Sequence, residues 1–133
     1  MSSLLDTSVV VRYLTGDPPR LAARAAEIID AGEPLSLTDV VVAETAYVLA
    51  SVYGVPRDAL VDSLIDFLQK RNVAVSGLDK GTVIQALMLA RPSKRVSFAD
   101  AMVWAAARSS ELPVYSFDDR FPGDGIELRR ARA

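Results

Sequence analysis

The sequence contains no cysteine and no histidine. The first absence excludes disulfides and thiolate metal sites. The second removes the usual general base at neutral pH and the usual zinc ligand. Acid–base or metal chemistry must therefore run on carboxylates, whose hard oxygens suit Mg²⁺ or Mn²⁺. Long apolar runs are missing too: none reaches membrane-spanning length, and no basic N-terminal region leads into a long apolar segment. The expectation is a soluble, cytoplasmic protein with no membrane association. Nor is there a surplus of positive charge. With a net charge of −2 and a pI near 5.1, nucleic acid would have to be held by a local basic patch or a bridging cation rather than by bulk charge.

What is present is an ordinary globular composition. Half of the 133 residues are hydrophobic, enough for one domain with a real core. No internal repeat, linker or low-complexity segment divides the chain, so a single domain is expected over residues 1–133, with a mobile tail from about residue 129. Residues 1–5 read as a short buried strand, and Ser8 as the cap of a helix running from about Val9 to Leu14, ended by Gly16 and the Asp17-Pro18-Pro19 turn. A second helix is expected from Pro19 to Ala31 and a third from a cap at Thr38 or Asp39 to Tyr53, with Leu35-Ser36-Leu37 a short strand or loop between them. Pro56 opens a fourth helix with a stripe of Leu60, Val61, Leu64, Ile65, Phe67 and Leu68. Val73-Ala74-Val75 reads as a strand, Asp79 caps a fifth helix to about Ala90, and Ser97 caps a sixth. Val114-Tyr115-Ser116 is a further strand and Ile126-Glu127-Leu128 a last edge strand. Short apolar strands alternating with helices indicate an α/β domain around a mostly parallel sheet.

Four acids follow or interrupt apolar runs, and all but Asp118, which Asp119 and Arg120 follow, stand apart from other charges. Asp6 ends the apolar run Leu4-Leu5 and precedes Thr7-Ser8; Glu44 is the only charge between Val40 and Tyr53; Asp100 is the only charge between Val96 and Ala107; Asp118 follows Val114-Tyr115-Ser116-Phe117. Glu44 shares its helical side with Val40, Val41, Tyr47 and Val48, where an uncompensated charge is costly. Ligands of parallel α/β sheets gather beyond the carboxyl ends of the strands, where Asp6 and Asp118 are placed. Four carboxylates meeting there would repel: at an effective dielectric of about 20 and ~5 Å each pair costs roughly 3 kcal/mol. A divalent cation is the simplest compensating partner. Other readings stay open: Asp6 as a helix cap, Asp100 as a capping-box member, Glu44 reaching solvent or a distant arginine, and Asp118 as a turn residue.

The set Leu5-Asp6-Thr7-Ser8, Ala43-Glu44, Phe98-Ala99-Asp100-Ala101 and Ser116-Phe117-Asp118 with Phe121 resembles the PIN-domain family of metal-dependent ribonucleases, in particular the VapC-type toxins of bacterial toxin–antitoxin pairs. Ser116 stands where that family often has threonine and keeps the hydroxyl; Asp119 competes with Asp118 for the last acidic position, and Phe117-Asp118 with Phe121 favours Asp118. The resemblance implies a PIN-like three-layer sandwich with four or five mostly parallel strands flanked by helices, and Mg²⁺- or Mn²⁺-dependent endoribonuclease cleavage of RNA. It makes Asp6 and Asp100 the main metal ligands, Glu44 and Asp118 their complement, and Ser8 and Ser116 the hydroxyls that orient the acids. It also implies a homodimer and a small VapB-like antitoxin laying a C-terminal segment across the pocket; in the residues themselves only apolar helix surface, such as Phe67 and Leu68, speaks for a partner. Arg91, Lys94 and Arg95, just before the Asp100 helix, are candidates for holding RNA phosphates, against the alternative of a solvated basic loop.

Three other classes share part of this pattern. An aspartate-nucleophile phosphatase built on Asp6 usually has a second acid two residues on, where Ser8 stands. A non-catalytic PIN-like module that binds RNA or protein would typically lack one of the acids, and none is missing. A phospho-acceptor receiver domain needs a lysine late in the chain, and none occurs after Lys94.

Overall fold

The computed structural model describes residues 2–130. Five strands and six helices follow one another as β1 (Ser3–Leu4), α1 (Thr7–Thr15), α2 (Pro19–Asp30), β2 (Leu35–Thr38), α3 (Asp39–Ser51), α4 (Arg57–Leu68), β3 (Val73–Ser76), α5 (Lys80–Ala90), α6 (Phe98–Ser110), β4 (Val114–Ser116) and β5 (Leu128–Arg130). All strand pairs are parallel. β1, β2 and β3 form one sheet in that order, with Leu35 of β2 facing Ser3 on one side and Val73 on the other. β4 pairs with β5 from Val114 against Leu128 to Ser116 against Arg130. The five strands are thus hydrogen-bonded as three and two; with β1 only two residues long, no ladder joins the sets among the described residues.

Local chemistry sets most boundaries. Thr38 caps α3, Asp79 caps α5 and Ser97 caps α6, each accepting a backbone N–H from the first turn. Gly16 closes α1 in the left-handed conformation. α1 begins two residues earlier than its sequence suggests, because Asp6 rather than Ser8 is its cap. β1 is also less buried than its leucines imply. Leu4 is 69% exposed on the edge of the sheet, and Leu5, just past the strand, is the residue that enters the core.

Leu37 of central β2, Ile29, Leu60, Leu64, Leu68 and Leu87 are fully buried. Phe67 and Leu68 belong to this core, so they offer no surface to a partner. α3 is the hub of the helical packing: it contacts α1, α4 and α6, while α5 lies along α6. No helix among the described residues is long and apolar enough to cross a membrane. Arg129 and Arg130, expected in a free tail, are part of β5; residues 131–133, the rest of that expected tail, lie outside the described residues.

Candidate functional site

Because β1, β2 and β3 run parallel, their carboxyl ends share one edge. Asp6 lies just beyond β1 there. Its Oδ2 accepts two hydrogen bonds from Ser8, from the backbone N–H at 3.1 Å and from Oγ at 2.6 Å. The Ser8 hydroxyl, with the Ser8 amide second, holds the Asp6 carboxyl below the usual carboxylate range. Asp6 is therefore a helix cap, but with one oxygen only: Oδ1 has no hydrogen-bond partner among the described residues.

Glu44 and the start of α6 meet across a groove of about 760 Å³, lined by Val40, Ala43, Glu44 and Tyr47 of α3 and by Ser97, Phe98 and Met102. Glu44 is exposed, and so are its apolar neighbours Val40 and Tyr47, at 68% and 64%. Glu44 thus does not sit in a buried stripe, contrary to what its apolar neighbours in sequence imply. The stripe faces outward, and the unusual feature is apolar surface left uncovered beside an acid. Asp100, half-buried in the first turn of α6, receives its cap through its backbone N–H, 3.0 Å from Ser97 Oγ. Its carboxylate makes no return bond to the Ser97 amide among the described residues, so the capping box is half-formed and the acid is left over.

Asp118 follows β4 in a tight turn. Its backbone N–H donates to Ser116 Oγ at 3.0 Å, and its Oδ1 accepts from the Arg120 amide at 2.8 Å. Ser116 therefore holds the backbone of the acid, whereas Ser8 holds the carboxylate itself. Phe117 beside it is 77% exposed. The chain beyond this turn is fastened to α6 by the Trp104 indole, which donates to the Asp124 carbonyl at 2.8 Å. Asp119 is exposed.

The three basic candidates separate. Arg91 makes a two-pronged ion pair with Asp62 of α4, both contacts 2.9 Å. Lys94 lines the groove together with Glu44, and Arg95 is exposed.

The donor set fits a hard divalent cation. The chain holds neither histidine nor cysteine, and the acids in question are carboxylates with oxygens to spare. The topology sets Asp6 at the edge where α3 begins, and the groove sets Glu44 beside the helix start that carries Asp100. The side chains themselves are not gathered: among the described residues no three acids stand close enough to share an ion. Three of the four acids are exposed.

Some residues escaped the sequence reading. Asp39, the first residue of α3, lines the same groove as Glu44. Its carboxylate fills the space beside Gly77 at the end of β3, where a Cβ would meet Asp39 Oδ1 at 2.6 Å. Its place just past the Leu35-Ser36-Leu37 strand or loop was the available signal; the expected capping role concealed it. Arg57 and Arg130 act on backbone carbonyls, for which no sequence pattern exists. Arg130 donates to the carbonyls of Asp118 at 2.8 Å and Phe121 at 3.2 Å, pinning the turn that carries the acid.

No curated protein matches the chain. A protein-family match does, described as "PIN domain" and covering residues 3–123, which includes all four acids and both serines. That span takes in all six helices and four of the five strands, so the chain belongs to the PIN-domain family.

Proposed function

We propose that this protein is a Mg²⁺- or Mn²⁺-dependent endoribonuclease that acts as the toxin of a toxin–antitoxin pair. PIN domains are generally nucleases, and family membership supports hydrolysis of a phosphodiester bond. The observation that carries the metal-dependent reading is that Asp6 and Asp100 each cap or begin a helix without using up the carboxylate.

Asp6 and Asp100 would hold the ion, with Glu44 and Asp118 completing its surroundings. A bound divalent cation would supply an activated water and offset charge on the scissile phosphate. The protein's own groups do the rest. Ser8 fixes the Asp6 carboxylate in its ionised, acceptor-only form. Ser97 and Ser116 fix the backbone at Asp100 and Asp118. Lys94, which lines the same groove as Glu44, would meet an RNA phosphate. The toxin role rests on the ordered likeness to VapC-type chains, and with it come a homodimer and a VapB-like antitoxin. The uncovered apolar side chains Val40 and Tyr47 beside the acids support a protein partner at this groove.

Purified protein should cleave RNA when Mg²⁺ or Mn²⁺ is present, and EDTA should abolish cleavage. Asp6→Asn and Asp100→Asn should each lower the rate by at least about 100-fold with the circular dichroism spectrum intact, as expected when a direct metal ligand is lost. A phosphorylated Asp6 would favour the phosphatase instead, and RNA binding without cleavage would favour the inert module.

A further inference from the structure

Arg57 is the first residue of α4, where a cation is opposed by the helix dipole. Its place is therefore not explained by the helix it starts. Its side chain leaves α4 altogether. Nε donates to the carbonyl of Ala90, the last residue of α5, and Nη2 donates to the carbonyl of Val96, just ahead of the α6 cap. The guanidinium lies over the Phe98 ring, 4.2 Å from its centre. Phe98 is the first residue of α6 and is 6% exposed. One planar group thus grips both ends of the 91–97 connection and the first side chain of the helix that follows. Farther along α4, Asp62 fastens Arg91, so the same helix holds the connection at a second point.

We infer that Arg57 is a positioning residue for Asp100: it fixes the start of α6, and so the acid in its first turn, by binding backbone carbonyls and an aromatic face. The inference rests on reading Asp100 as a metal ligand. The choice of partners matters. A cation paired directly with Asp100 would neutralise the carboxylate and compete with a metal ion. Arg57 gives its two hydrogen bonds to carbonyls, which fixes the backbone and leaves the acid's charge intact. Arginine suits this task better than lysine, because a rigid fork spans two carbonyls while its flat face stacks on a ring. Partial burial lowers the Arg57 pKa from its usual value, and a guanidinium stays charged regardless.

The test uses the full chain carrying Arg57→Gln or Arg57→Lys. Mn²⁺ binding is measured by titration calorimetry, and RNA cleavage is measured across a Mn²⁺ series. Arg57→Gln is expected to weaken Mn²⁺ binding about 10-fold and to raise the half-saturating Mn²⁺ concentration equally, the scale of effect seen for groups that orient metal ligands. Arg57→Lys keeps the charge and stem but cannot span both carbonyls, so it should weaken Mn²⁺ binding about three-fold or more on the same scale. A merely structural arginine would lower the melting temperature and leave the Mn²⁺ affinity of the folded protein unchanged; that result in either folded variant overturns the inference. If Arg57→Gln does not fold, Arg57→Lys decides alone. Arg57-dependent Mn²⁺ binding in a protein that cuts no RNA would sink the nuclease proposal and leave this one standing, and a wild type that binds no Mn²⁺ would sink it.

Discussion

At the scale of single residues, two features point in opposite directions. Thr45, next to Glu44, is fully buried, and its Oγ1 has no hydrogen-bond partner among the described residues. A buried hydroxyl without a partner costs about 1–3 kcal/mol. Valine has the same shape without that group. Thr45→Val should therefore stabilise the fold by about 1 kcal/mol in urea denaturation, at the low end of that range; a loss of stability would mean that the hydroxyl does bond. The basic loop carries the opposite lesson, that a charge seen in sequence can be occupied. Arg91 is paired with Asp62, whereas Lys94 faces the groove. Lys94→Ala should weaken RNA binding and reduce the slope of affinity against salt by about one, the mark of one lost phosphate contact. Arg91→Ala should leave that slope unchanged, which binding assays at several salt concentrations would read.

At the scale of elements, caps explain why so much of the helical layout is legible. Asp79 is an isolated example. It accepts the Thr82 amide at 2.8 Å, and chiefly that backbone bond lowers its pKa from the ordinary value. A carboxylate depressed in the folded state adds stability above its unfolded pKa, near 3.9, and loses it as pH falls through the lower folded value. Asn keeps the cap but does not titrate. Wild type should melt above Asp79→Asn at neutral pH, and thermal melts should show the gap closing below about pH 4; a gap independent of pH would show that the charge contributes nothing. Signals of this kind, Thr38, Asp79, Ser97 and Gly16 among them, are carried by neighbouring residues and so survive in the sequence. Tertiary facts do not. That α3 turns Val40, Glu44 and Tyr47 outward depends on which of its apolar faces meets α1, α4 and α6, and a helix apolar on nearly every side does not announce the choice. Likewise the short run before Asp6 reads as buried, yet β1 lies on an edge because β2 takes the centre. Asp6, Glu44 and Asp100 stand out in the sequence because each is alone among apolar residues; Arg57 and Arg130 do not, because they bind carbonyls that every residue has.

At the scale of the whole molecule, the question is whether folding brings the acids of β1, α3 and α6 to one place for an ion or merely uses them at element ends. Stability distinguishes the two. An ion that binds only the folded chain stabilises it by mass action, about 2.7 kcal/mol at one hundred times its dissociation constant. Asp100 also sits in the first turn of α6, where a negative charge is worth about 0.3–1 kcal/mol against the helix dipole. If Asp100 serves only the helix, Asp100→Asn loses that modest amount, and the loss is the same in EDTA and in excess Mn²⁺. If Asp100 holds the ion, the loss in EDTA stays within about 1 kcal/mol and in excess Mn²⁺ grows by up to the ion's own contribution, because the wild type rises and the variant does not. Paired thermal melts of the two proteins, with and without Mn²⁺, should show this widening. Parallel melting shifts would leave Asp100 as a helix-end charge, and the cation would have to be held without it.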